Sequence, residues 1–382
     1  MKKLILKNQY VVNHDNSFYC DIHIENGIIS KIVPKIAPKT QPKKFTLPGF
    51  IDSHTHGGYG FDFNDLSQDK WKNKFNTYLK EIAKEGVTKV FGTTVTCSKE
   101  DLIKIATNFN ELHKIDKNQI IESWYIEGPF ISKEKKGAHD ENLIIPVDID
   151  LLKKISNIYK RKKLIAVAPE FKTNNTKIKS INKDQYLICM GHSNASVQDA
   201  EKAYINGVER VVHFYNALSG FSHKTPGVVN FVFKHKNILA ELICDGIHVN
   251  QYVIKNTYDI LGIDNIILIT DSLSCKGLKN GFYKLGTLDI EKKTDACYIK
   301  NNNCLAGAIM PFNKQLKIFR ESTKCNMNDI VKITSYNHAK SLNKHNEYGC
   351  IKEGMKANLT VVDQSLNVLK TISNGIISYS KK

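Results

Sequence analysis

The chain has 382 residues, of which 55 are Lys or Arg and 38 are Asp or Glu, for a formal charge of +17. That length accommodates one large α/β unit and a smaller one; because the basic residues are scattered and accompany no RNP-like or zinc-finger pattern, no nucleic-acid partner is expected. Nine cysteines without a CxxC pair exclude a zinc ribbon or a redox dithiol, and the odd number argues against a complete disulfide framework.

The opening stretch MKKLILKNQY is too short in apolar residues for a signal peptide, and no later segment reaches the apolar length of a membrane span. A cytoplasmic protein without a membrane partner is expected. Residues 1–48 alternate apolar and polar positions with turn signals, as in FYCDIHIENGIISKIVPK, and predict strands.

From residue 49 to residue 345 the pattern changes to short β-branched runs separated by longer amphipathic stretches. Eight runs are candidate strands: GFIDSH, KVFGTTV, ESWYIEG, LIAVAPE, YLICMGH, RVVHFYN, LAELICDG and IILITDS. Helices are predicted between them, among them Trp71 to Glu85, Leu102 to His113 and Val197 to Ile205. Near-continuous apolar strands suit a parallel sheet buried on both faces, and eight of them predict a closed (β/α)8 barrel. Residues 278–345 add a hairpin-like stretch and two or three helices. Residues 346–382 return to strand alternation, so both chain ends are expected to build one small β-sandwich.

Polar residues fall at the C-terminal ends of these runs: His54 and His56, Glu127, His192, His213, His248 after a short loop, and Asp271. In a barrel these ends share one rim, where such enzymes carry their active sites. His54 and His56 are alternate residues of an extended segment and face the same side, so both imidazoles can approach one ion. Imidazoles and a carboxylate around a divalent metal with an open position make a hydrolytic site, because the ion lowers the pKa of bound water toward roughly 7. Asp271 is placed as the general base; Leu273 to Gly277 does not read as a helix start that it would cap.

The motifs PGFIDSHTHG, IEGPF, KKGAHD, GHSNAS, HFYNAL, TPGVV, DGIHV, TDSL and LAGA follow one another in an order that resembles the N-acetylglucosamine-6-phosphate deacetylases of the amidohydrolase superfamily. The resemblance spans nearly the whole chain. It implies hydrolysis of the acetamide of a phosphorylated amino sugar, with one or two divalent ions, zinc or iron foremost and manganese or cobalt as alternatives. By the same resemblance Glu127, His192 and His213 ligate one ion, and His54 and His56 a second. His139 polarises the acetyl carbonyl, Asp271 shuttles the proton, Asn216, Ala217 and His248 hold the sugar and its phosphate, and Leu305 closes over the acetyl group.

The family usually shows Arg-Glu-Pro-Gly where this chain has Lys224-Thr225-Pro226-Gly227, and that arginine grips the phosphate, often across a homodimer interface. A lysine keeps the charge without the bidentate fork. Lys224 is therefore expected at the phosphate, with His223 able to share the task. Amidohydrolases built on a carbamylated lysine are disfavoured, because Glu127 occupies the strand end such a lysine would take. A non-catalytic sensor would have no need of Asp271 beside a full ligand set.

Overall fold

Eight strands from the middle of the chain form one parallel sheet in sequence order: Phe50–Thr55, Val87–Val95, Ile121–Glu127, Lys163–Val167, Tyr186–Met190, Val208–Val211, Leu239–Ile243 and Ile266–Ile269. The coordinates are a computed structural model, describing residues 3–68, 71–300 and 304–381. The eighth strand returns to the first. Thr270 donates its backbone N–H (3.1 Å) and its hydroxyl (2.6 Å) to the Asp52 carboxylate, and the Asp271 N–H donates to the His54 carbonyl (2.9 Å). This closes the barrel predicted from the eight apolar runs.

The strands are buried on both faces, which explains their near-continuous Val, Ile and Leu content. Phe91, Tyr125, Leu164, Leu187, Cys189 and Val212 cluster as an inner core, while a larger cluster packs the strands against the surrounding helices. Those helices start at polar caps. Ser98 accepts from the Asp101 N–H (3.0 Å) ahead of Lys99–Ile115, and Ser196 from the Asp199 N–H (3.2 Å) ahead of Val197–Ile205. The first of these begins three residues earlier than its apolar periodicity predicts, because the capped turn Lys99-Glu100-Asp101 is polar and solvent-facing. Helix Lys72–Lys84 falls within the predicted Trp71 to Glu85.

The two chain ends meet in one seven-stranded sheet, in the order Ile376–Ser380, Val368–Ser373, Leu359–Asp363, Lys44–Pro48, Lys3–Val12, Ser17–Glu25, Ile28–Pro34. This is the form the expected terminal β unit takes. Lys44–Pro48 joins the halves, running antiparallel to Leu359–Asp363 and parallel to Lys3–Val12. Cys20, Ile22, Ile24, Leu359 and Ile372 belong to its common core.

Between the eighth strand and the closing helices lies a four-stranded antiparallel sheet, Gly281–Leu285, Leu288–Lys292, Cys297–Ile299 and Leu305–Gly307, where a single hairpin is predicted. It packs Leu285, Ile290 and Cys297 against Val95, Ala138 and Leu273 at the barrel mouth. No helix among the described residues is long and apolar enough to cross a membrane.

Candidate active site

The strand-end residues converge on the carboxylate of Glu127, the last residue of the third barrel strand. His213 Nε2 lies 2.9 Å and His192 Nε2 3.2 Å from Oε1, with His54 Nε2 at 3.3 Å. His56 Nε2 stands 3.1 Å and His139 Nε2 3.7 Å from Oε2. Asp271 closes the group, its Oδ1 being 3.2 Å from His56 Nε2 and 3.4 Å from His54 Nε2. His192, His213, Ala217 and Asp271 all adopt φ between +24° and +50°, left-handed backbone that is uncommon for residues other than glycine and here gathers at the strand ends.

The other ring nitrogen of each histidine decides what its Nε2 offers. His192 Nδ1 donates to the Lys135 carbonyl (2.8 Å) and His213 Nδ1 to the Asn216 carbonyl (3.0 Å). His54 Nδ1 donates to the Glu241 carboxylate (2.9 Å). Carbonyls and carboxylates only accept, so in their neutral form these three rings present a lone pair at Nε2. His139 is the reverse. Its Nδ1 accepts from the Thr96 backbone N–H (3.1 Å), which leaves the hydrogen of the neutral ring on Nε2. Three rings are ready to ligate and one is ready to donate.

Two observations test whether a cation suits this cluster. His192 Nε2 and His213 Nε2 are 3.0 Å apart, two nitrogens that both offer lone pairs when the rings are neutral, and His54 Nε2 is buried without a hydrogen-bond partner among the described residues. The electrostatics agree. Burial opposes charge on Glu127, yet the surrounding histidines hold it well below the usual carboxylate range. Burial likewise works against protonated His56, but Asp271 and Glu127 raise it to about 9. Acids held this strongly ionised among imidazoles that attract protons fit a divalent ion, which would take the place of those protons. His54, His56, Glu127 and Asp271 can hold one, and Glu127, His139 and His192 form a second grouping in which His139 Nε2 carries the hydrogen. Burial, with His192 adding to it, pushes His139 down to about 4, so that ring is neutral near pH 7.

The cluster floors a cavity of about 440 Å³ also lined by Asn216, Ala217, His248 and Leu305. His248 donates from Nδ1 to Asp245 (2.6 Å) and leaves Nε2 buried without a partner among the described residues, as is Asn216 Nδ2. Gly137, in the turn before His139, takes φ +53°, and a Cβ there would lie 3.3 Å from His192 Cε1. Lys224 stands apart: it is exposed on the loop after Ser222 and does not line the cavity of its own chain, whereas Lys135 does.

Residues 45–377 match the amidohydrolase family. The chain belongs to that family. Among amidohydrolases it is similar to the N-acetylglucosamine-6-phosphate deacetylase of Lysinibacillus sphaericus, 32% identical over 98% of this chain and 97% of that protein. The Bacillus subtilis protein of the same description is 32% identical over 88% of this chain and 85% of its own. The solved N-acetylglucosamine-6-phosphate deacetylase of Thermotoga maritima superposes with a TM-score of 0.91 at 31% identity, covering 99% of this chain and 100% of that one.

Three partners of this amidohydrolase's histidines are not singled out by the sequence. Thr96 lies just past the second strand, Lys135 acts through its backbone, and Glu241 lies inside the apolar run LAELICDG. Only Glu241 left a signal, since a lone carboxylate in a doubly buried strand needs a partner.

Proposed function

We propose that this amidohydrolase hydrolyses the acetamide of N-acetylglucosamine 6-phosphate to acetate and glucosamine 6-phosphate. The observation that carries the reading is the division of protonation at the barrel mouth, with lone pairs at His54, His192 and His213, a donor at His139 and a carboxylate at Asp271. The likeness to deacetylases from Lysinibacillus and Bacillus supports the substrate.

Glu127, His192 and His213 would hold one divalent ion, and His54 and His56 a second. Bound there, the metal supplies Lewis-acid polarisation and makes water more acidic; zinc or iron is preferred, with manganese or cobalt as alternatives. Asp271 takes a proton from the attacking water. His139 donates its Nε2 hydrogen toward the carbonyl oxygen as negative charge develops there. As the carbon–nitrogen bond breaks, Asp271 returns the proton to the departing amine and acetate is left.

Asn216, Ala217 and His248 would hold the sugar and its phosphate, and Leu305 would cover the acetyl group. Lys224 would reach the phosphate from the second subunit of a homodimer, in keeping with its position outside its own chain's cavity. A cytoplasmic setting would suit a chain whose nine cysteines include no CxxC pair. The test is acetate release from N-acetylglucosamine 6-phosphate, lost on chelation and recovered with zinc, iron, manganese or cobalt. No release under any repletion would reject the reading.

A further inference from the structure

We propose that Glu241, anchored by Arg210, is a positioning residue that makes His54 a metal ligand and thereby governs loading of the second ion. This rests on the proposed role of His54 and His56. Glu241 and Arg210 are both fully buried in the barrel interior, where a charge is costly unless closely paired. Arg210 Nη1 donates to Glu241 Oε1 (3.2 Å) and to Ser53 Oγ (3.0 Å), and Nη2 donates to Ser341 Oγ (2.6 Å). The Tyr125 hydroxyl donates to the same carboxylate oxygen at 3.3 Å. The other oxygen accepts from His54 Nδ1 at 2.9 Å and, at the longer 3.5 Å, from the His213 backbone N–H.

A carboxylate accepts and cannot donate, so in the neutral ring that a metal requires this contact keeps the hydrogen on Nδ1 and the lone pair on Nε2. An amide at position 241 could instead turn its NH2 to Nδ1 and move the ring hydrogen to Nε2, where it would block a metal. Arg210 fixes the carboxylate and the neighbour of His54 through one guanidinium, so ring orientation and strand position are set together. Among the described residues His56 has no such support, its Nδ1 being buried without a partner. The pair of histidines is therefore asymmetric, and control of the site lies with His54.

The test is zinc titration against a competing chelator, with the parent expected to take up two ions. Glu241→Gln should weaken one ion roughly 10- to 100-fold and leave the other at parental affinity. In a His54→Asn background the same substitution should change metal affinity no further, since it acts through that ring. A purely structural role would lower thermal stability equally in both backgrounds while both ions stayed at parental affinity, and that result would overturn the inference. Should Glu241→Gln fail to fold, ¹⁵N-histidine NMR of the zinc-loaded parent decides: His54, assigned by its absence in His54→Asn, must carry hydrogen on Nδ1, and hydrogen on Nε2 overturns the inference. A parent that binds one ion and loses none in His54→Asn rejects instead the underlying assignment of His54 as a ligand.

Discussion

Five imidazoles surround Glu127, and what separates their roles is the nitrogen each has left after its neighbours are served. His139 is tied at Nδ1 by Thr96, so His139→Asn should keep the metal but lose an oxyanion donor, lowering kcat by about 10²- to 10³-fold with little change in KM. Asp271→Asn should retain fold and metal and lower kcat by roughly 10²- to 10⁴-fold. Steady-state kinetics with metal analysis on the same samples checks both, and near-parental turnover in loaded Asp271→Asn would assign the proton transfer to another group. The ligand candidates were legible because period-two spacing and strand-end position place residues without any knowledge of contacts. The donor role of His139 follows instead from a backbone N–H lying 43 residues away in sequence, which local pattern does not encode. Glu241 shows in sequence only as a lone carboxylate in an apolar run, which asks for a partner without naming His54.

Turns at the barrel mouth carry their own tension between capping and burial. Asp62 caps the turn Phe63–Ser67 by accepting from the Asn64 N–H (2.9 Å), yet burial pushes its carboxyl to about 7. A folded-state pKa raised above the unfolded value means that its contribution to stability is fully present below about 4 and is lost as pH rises through about 7. Asp62→Asn keeps a capping oxygen and removes the titration. Relative to the parent it should gain roughly 1–4 kcal/mol between pH 5 and pH 8, read from denaturant midpoints; an unchanged difference would show that Asp62 does not ionise across that range. Elements with a strong period were legible in sequence, including all eight barrel strands. The sheet over the mouth was read only as a hairpin, because Cys297–Ile299 and Leu305–Gly307 are too short to show alternation.

At the scale of the whole molecule, the question is whether one chain forms a complete site. Lys224 is exposed and outside the cavity lining, and it replaces the arginine expected for phosphate. Lys224→Ala should raise KM for the phosphorylated sugar by roughly 10- to 150-fold and barely affect hydrolysis of N-acetylglucosamine. If the lysine serves the other subunit, mixing Lys224→Ala with Asp271→Asn should restore roughly a quarter of parental activity at low substrate, since half of randomly mixed dimers then contain one intact site. No recovery on mixing would place the phosphate contact within one chain. The formal charge of +17 favours capture of such an anion at low ionic strength.

The sheet that joins the chain ends also imposes a timetable. Lys44–Pro48 is made early, but its antiparallel partner Leu359–Asp363 follows roughly 310 residues later. At synthesis rates of about 5–20 residues per second, that is a delay of roughly 15–60 s during which one long edge of a growing protein has nothing to pair with. Open edges recruit other chains. A ribosome stalled before residue 359 therefore leaves a barrel whose strands are all present but whose N-terminal hairpins remain adhesive. Translation speed between residues 48 and 363 becomes a determinant of how much of this enzyme reaches solution.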